Sequence, residues 1–224
     1  MCYNEHKPPM RLGAESLGQI GEMIMKKIIT ISREFGSGGR TIGKMVAEKL
    51  GYRFYDGELI DEVVKSSGLS REIVEKYDEY ATHKNSFLYA IAVNSGGDNY
   101  NGLSVANRVQ IAQAAVIKQL AEEGNCVIIG HGADYILRDR EDCLNVFIRA
   151  DMAFKAKRVI ENYGETNVKI EERLRDKDTR RRVFYRSFTM RDWGVCENYH
   201  MMLDSSVVGL ENCADIISRV ARGD

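Results

Sequence analysis

"TISREFGSGGRTIGKMVAEKLG", residues 30–51, decides the fold. It begins inside the β-branched run "KIITIS" (27–32), which predicts a short buried strand. Apolar residues then recur at 42, 45, 46 and 50, a helical spacing over 41–50, and Gly51 stands where a helix C-terminus favours glycine. Between strand and helix lies a glycine-rich loop. A phosphate needs converging amide N–H groups, and the partial positive charge of a helix start adds to the attraction. Gly36, Gly38 and Gly39 give the backbone the freedom to wrap an anion, and Ser37 adds a hydroxyl donor. In open α/β sheets, ligands lie beyond the carboxyl ends of the strands, which is where 32–41 falls. A plain strand-to-helix turn is the alternative for the loop taken alone.

The loop lacks a lysine. The pattern G-x-x-x-x-G-K-[ST] is matched literally only by Gly38, Gly43 and Lys44, and Met45 fails its last place. In that register Lys44 lies a full turn inside the predicted helix. A register beginning at Arg33 is better, and it leaves Gly39 in the lysine's place. Arg40 or Arg33 then has to supply the missing charge. Arginine is always ionised and bridges two oxygens, but its reach differs from that of lysine.

Strand and helix signals alternate along the rest of the chain. "YRFYD" (52–56), "CVIIG" (126–130), "LNVFI" (144–148) and "YHMML" (199–203) read as strands. Helices are predicted over 59–65, 70–80 with Ser70 as N-cap, 103–123, 153–163, 167–191 and 210–222, with a short one at "ADYIL". Residues 94–102 read as a polar loop. This alternation predicts parallel βαβ units and a sheet covered on both faces.

The 224 residues carry 32 basic and 33 acidic side chains, a net charge of −1. No overall field draws the chain to nucleic acid or anionic membrane, and neither is expected as a partner. No apolar run approaches the ~20 residues that span a bilayer. The five cysteines form no Cys-x-x-Cys pair, which argues against a zinc site or disulfide framework and fits a reducing cytoplasm. Residues 1–24 lack the apolar core of a secretory signal and are expected to be a disordered extension, with one domain over 25–224.

The loop resembles the phosphate loop of cytidylate kinases, G-P-S-G-x-G-K-G-T, with Gly36, Gly38 and Thr41 matching. It is more similar to the cytidylate kinase-like family whose loop reads R-E-F-G-S-G-G-R, here residues 33–40. Three further segments carry the resemblance. "FYDGELI" (54–60) is similar to an acceptor-positioning segment, with Asp56 as the matching acid. "CVIIGHGADYIL" (126–137) looks like a segment whose arginine touches the acceptor phosphate, and His131 stands in that place. "RLRDKDTRRRVFYRSFTMR" (173–191) corresponds to an arginine-rich lid, and "RDWGVCENYHMMLDSS" (191–206) resembles the stretch that follows it.

The resemblance implies a three-layer P-loop α/β fold with a five-stranded parallel sheet. It also implies a helical acceptor-binding insertion at about 57–102 and a lid at about 165–192. The implied reaction moves a phosphoryl group from ATP, with Mg²⁺, to CMP, dCMP or a similar nucleotide. Arg33, Gly36, Ser37, Gly38, Gly39, Arg40 and Thr41 would hold the donor, with the Thr41 hydroxyl on the metal. Asp56, His131, Arg180 and Arg182 would serve the acceptor, and Arg40, Arg173, Lys177 and Arg181 the charge in transfer. By charge pattern alone the lid reads instead as a solvated helix, with i,i+4 pairs Glu171–Arg175, Asp176–Arg180 and Asp178–Arg182. The departures at Gly39 and His131 leave two other readings open: a nucleotide-binding regulator with little turnover, or a kinase of another small acceptor. An oligomer is compatible with the sequence.

Overall fold

The computed structural model describes residues 25–78 and 105–224. The expectations for residues 1–24, for the polar loop 94–102 and for the ends of two helices lie outside the described residues.

Five parallel strands form one sheet in the order β2-β3-β1-β4-β5. They are β1 (Ile28–Arg33), β2 (Arg53–Tyr55), β3 (Cys126–Ile129), β4 (Cys143–Arg149) and β5 (Met201–Asp204). β1 is central because every residue of "IITISR" is buried, and a strand covered on both faces has no polar side to show water. Its register against β4 pairs Ile31 with Val146 and Arg33 with Ile148, which sets Arg33 at the carboxyl edge.

The helices are α1 (Gly39–Leu50), α2 (Glu58–Ser67), α3 (Arg71–Lys76), α4 (Val105–Glu123), α5 (Ala133–Ile136), α6 (Met152–Tyr163), α7 (Ile170–Thr189), α8 (Ser205–Val208) and α9 (Leu210–Arg222). Two apolar layers sandwich the sheet. One joins Ile29, Ile31, Ile129 and Val146 to Ile42 and Val46 of α1 and Ile217 of α9. The other joins Ile28 and Ile128 to Leu59 and Val63 of α2 and Val109 and Ile117 of α4.

Several boundaries move from the sequence reading. α1 begins at Gly39, not at 41, because Gly38 is its N-cap and its first turn is built from the loop itself. Ser70 caps α3 as its hydroxyl accepts from the Ile73 N–H at 3.4 Å. The last strand runs 201–204, since Tyr199 turns aside to pack on Phe147, ring centroids 5.0 Å apart, with Trp193 on the same ring at 5.1 Å. Cys126, Cys143 and Cys213 are buried free thiols, and burial pushes Cys126 up to about 11 and Cys143 to about 12.

Gly43 allows α1 to lie flat on the sheet. A Cβ there would stand 2.5 Å from Ile129 Cδ1 and 3.2 Å from Ile31 Cδ1. Gly43→Val is therefore expected to destabilise the fold by about 1–3 kcal/mol through overpacking. Urea unfolding should show a lower midpoint at an unchanged slope.

Candidate active site

The loop after β1 gathers amide donors. Gly36 and Gly38 have φ of 85° and 81°, the left-handed region that glycine enters without strain. A Cβ on Gly36 would meet the Lys155 carbonyl oxygen at 2.9 Å, and one on Gly38 would meet Leu210 Cδ2 at 2.5 Å, so space as well as conformation demands glycine at both. The Ile42 N–H returns to the Gly38 carbonyl at 2.9 Å and closes the first turn of α1. The amides of Gly36, Gly38, Gly39, Arg40 and Thr41 find no acceptor among the described residues. Unpaired donors at a loop and helix start form a nest for an anion.

Gly39 is small for a specific reason. A Cβ there would lie 2.5 Å from Arg33 Cβ and 2.9 Å from its Cγ. The Arg33 side chain, 6% exposed, runs from the end of β1 through the space that a residue at 39 would need. Its Nη2 lies 3.9 Å from Asp56 Oδ1, and Arg40 Nε lies 2.6 Å from Asp56 Oδ2. One buried carboxylate thus carries two guanidinium groups, Arg33 inside and Arg40, 65% exposed, at the mouth.

A cavity of 550 Å³ opens over this nest. It gathers the expected Arg33, Gly36, Gly38, Gly39, Arg40, Thr41, Asp56 and Arg181. Its wall also includes Arg158, Asn162 and Tyr163 of α6. Four guanidinium groups face two carboxylates, Glu34 and Asp56, so the cavity favours an anion. Arg158 Nη2 donates to the Thr41 hydroxyl at 3.3 Å. Lys44 lies on the solvent side of α1, inside the helix and away from the cavity, which agrees with setting its register aside.

Other expected site residues are placed differently. Ser37 is fully buried beneath the loop, where its hydroxyl donates to the Glu34 carbonyl at 2.8 Å and its own carbonyl accepts from Ser205 Oγ at 2.5 Å. It shapes the turn and does not line the cavity. His131, with φ 56°, is buried: its Nδ1 is 2.7 Å from Asp78 Oδ1, which also accepts from Gln113 Nε2 at 2.8 Å. Arg173 donates to the Gly164 carbonyl at 2.9 Å, Arg180 pairs with Asp176, and Arg182 is exposed. None of these lines the cavity. Lys177 lies 6.0 Å from the Phe35 ring centre, and burial, then Arg180 and Arg181, push its ammonium below the usual range.

The back of the loop holds charges that sequence reasoning missed. Glu34 Oε2 accepts from Lys155 Nζ at 2.9 Å and from the Ala150 N–H at 3.2 Å. Asp178 Oδ1 accepts from the Phe35 N–H at 2.7 Å. Arg181 Nη1 donates to the Arg33 carbonyl at 3.0 Å. Burial raises the Asp178 carboxyl above its ordinary range, against the opposing pull of the Phe35 N–H, Arg181 and Lys155. The expected Asp178–Arg182 pair does not form. Asp178 lies on the buried stripe of its helix with Leu174, Arg181 and Tyr185, whereas Arg182 is on the wet side.

A donor nucleotide and its metal fit this chemistry. Mg²⁺ is commonly held by few protein oxygens together with substrate phosphates. The Thr41 hydroxyl at the cavity wall suits that role, and among the described residues no cluster of three or more His, Cys, Asp or Glu side chains offers an all-protein cage.

A five-stranded parallel sheet with a glycine-wrapped loop at the carboxyl end of its central strand is a P-loop type of α/β fold. The chain belongs to the cytidylate kinase-like family, whose model matches residues 28–207. It is similar to the cytidylate kinase of Archaeoglobus fulgidus, 27% identical over 194 residues that cover 84% of this chain and 91% of that protein. It is also similar to the cytidylate kinase of Pyrococcus horikoshii, 28% identical over 153 residues and 66% of each chain. Among solved structures, an uncharacterized protein from Eubacterium ventriosum superposes with a TM-score of 0.66 at 25% identity, covering 88% of this chain and 99% of that one. Among the described residues no helix is long and apolar enough to cross a membrane.

Proposed function

We propose that this protein moves the γ-phosphoryl group of ATP, with Mg²⁺, to the phosphate of a nucleoside monophosphate, CMP or dCMP, in the cytoplasm. The observation that carries the reading is the nest of five free amides at 36 and 38–41 under a cavity walled by arginines. The amides and Arg33 would hold the donor phosphates. Arg40, at the mouth, would neutralise the transferring group, and Thr41 would hold the metal. An acceptor phosphate oxygen would attack the γ-phosphorus as the bond to the ADP oxygen breaks. No strong base is needed, because phosphoryl transfer rests on positioning and charge neutralisation.

The acceptor rests on kinship, since two relatives carry the name cytidylate kinase. The test is a panel of nucleoside monophosphates with ATP and Mg²⁺, read as ADP and diphosphate product. A pyrimidine nucleotide is expected to turn over with a kcat/KM at least about tenfold above the purines, a discrimination of about 1.4 kcal/mol. The absence of a lysine at Gly39 favours one rival, a nucleotide-binding regulator. ATP binding measured by calorimetry without transfer to any acceptor would select it.

A further inference from the structure

The lid helix bears on the loop in a way that its charge pattern does not suggest. Three side chains on one stripe of α7 reach inward to separate parts of the sheet edge. Asp178 accepts from the Phe35 N–H at 2.7 Å, and Arg181 donates to the Arg33 carbonyl at 3.0 Å. Tyr185 donates its phenol to Asp134 Oδ2 at 2.7 Å, and the same carboxylate accepts from Ser32 Oγ at 3.3 Å. All three side chains are buried. Behind them Lys155 Nζ, 2.9 Å from Glu34 and 3.8 Å from Asp178 Oδ2, sets a positive charge between two carboxylates. The first half of the helix is held less: Leu174 is its one buried side chain, Lys177 lies 6.0 Å from the Phe35 ring centre, Glu171, Glu172 and Arg175 are exposed, and Arg173 reaches only back to Gly164.

We infer that Asp178 is a positioning residue that fixes the phosphate loop by binding the Phe35 amide, and that only the helix before it, 170–177, can move as a lid. The inference rests on the proposed donor site for its kinetic consequences, but its geometric core does not. Arg33, the last residue of β1, and Phe35, in the loop, stand on either side of Glu34, and α7 holds the backbone of both. Hydrogen bonds to a carboxylate are stronger than neutral ones, and cutting this one frees the strand-to-loop junction that aims the nest. Arg181, lining the cavity yet fastened to a main-chain carbonyl, acts with Asp178 from a fixed wall. It does not swing in with the substrate.

The test uses the full chain, labelled with ¹⁵N, in three forms: wild type, Asp178→Ala and Asp178→Asn. Asparagine keeps an acceptor oxygen for the Phe35 N–H, and alanine does not. In the wild type without nucleotide, amide exchange at Phe35 should be slow, and exchange over 170–177 should be at least about tenfold faster than over 178–189. Asp178→Ala should speed Phe35 exchange about tenfold or more, and Asp178→Asn should restore most of the protection. In kinase assays Asp178→Ala should raise the ATP KM about tenfold and leave the acceptor KM unchanged, with Asp178→Asn near wild type. Fast exchange at Phe35 in the wild type, or uniform exchange along the helix, would overturn the inference whether or not the protein is a kinase. A loss of kcat in Asp178→Ala with both KM values unchanged would mark Asp178 as merely structural and overturn it too. If the wild type transfers no phosphoryl group, the functional reading fails and the exchange data still decide this one.

Discussion

Gly39→Lys, the change that restores the usual loop lysine, is expected to lose phosphoryl transfer and not to gain it. The physical reason is occupancy. A Cβ at 39 falls 2.5 Å from Arg33 Cβ, and Arg33 is fixed in place by burial and by the Asp56 carboxylate. A lysine there must push Arg33 out of its channel or bend the first turn of α1. Either movement disturbs the amides of 38–41. Overpacking of a rigid site costs about 3 kcal/mol at the upper end of its usual range. Thermal unfolding should therefore show a lower midpoint, and kcat/KM should fall to background. The double change Gly39→Lys with Arg33→Ala opens the space again and should recover stability relative to the single one. Activity equal to or above wild type in Gly39→Lys alone would show that Arg33 does not hold the lysine's place.

Arg40→Ala should have a large effect on rate with little on stability. Arg40 is 65% exposed, and an ion pair with one open partner contributes little to folding. Its guanidinium nonetheless stands at the cavity mouth on the same carboxylate as Arg33. Charge aimed at a transferring phosphoryl group is worth about 10²–10³ in kcat when removed. Steady-state assays should show that loss while the unfolding free energy from urea titration stays within about 0.5 kcal/mol of wild type. Arg40→Lys should recover only part of it, because an ammonium cannot bridge two oxygens. A small change in kcat for Arg40→Ala would move the charge role to Arg158, whose Nη2 already reaches Thr41.

Much of this site was legible because its signals are local. The strand, the glycines and the helical stripe of 41–50 each reflect backbone conformation within a few residues, and the loop between β1 and α1 falls where they put it. Gly51 and Ser70 mark helix ends for the same reason. What was hidden depends on pairs far apart in sequence. Glu34 meets Lys155 across 121 positions, and Phe35 meets Asp178 across 143, and no periodicity announces either. Asp178 could have been suspected, since it shares a face with Leu174, Arg181 and Tyr185, a polar residue in an apolar stripe. The i,i+4 rule instead paired it with Arg182, because exposed helices favour local partners and a tertiary contact overrode that preference. The place of His131 at a strand end suits a ligand as well as a structural role. Its burial against Asp78 follows from the approach of the chain after α3, which lies beyond local reading.

The proposed activity depends on donor phosphates binding at the loop after β1. An amide-shift titration of ¹⁵N-labelled protein with a non-hydrolysable ATP analogue and Mg²⁺ tests this most directly. The N–H signals of Gly36, Gly38, Gly39, Arg40 and Thr41 should move together along one saturable curve, while Phe35, already bonded to Asp178, moves least. Saturable binding that leaves those five signals in place and shifts others would contradict the central claim.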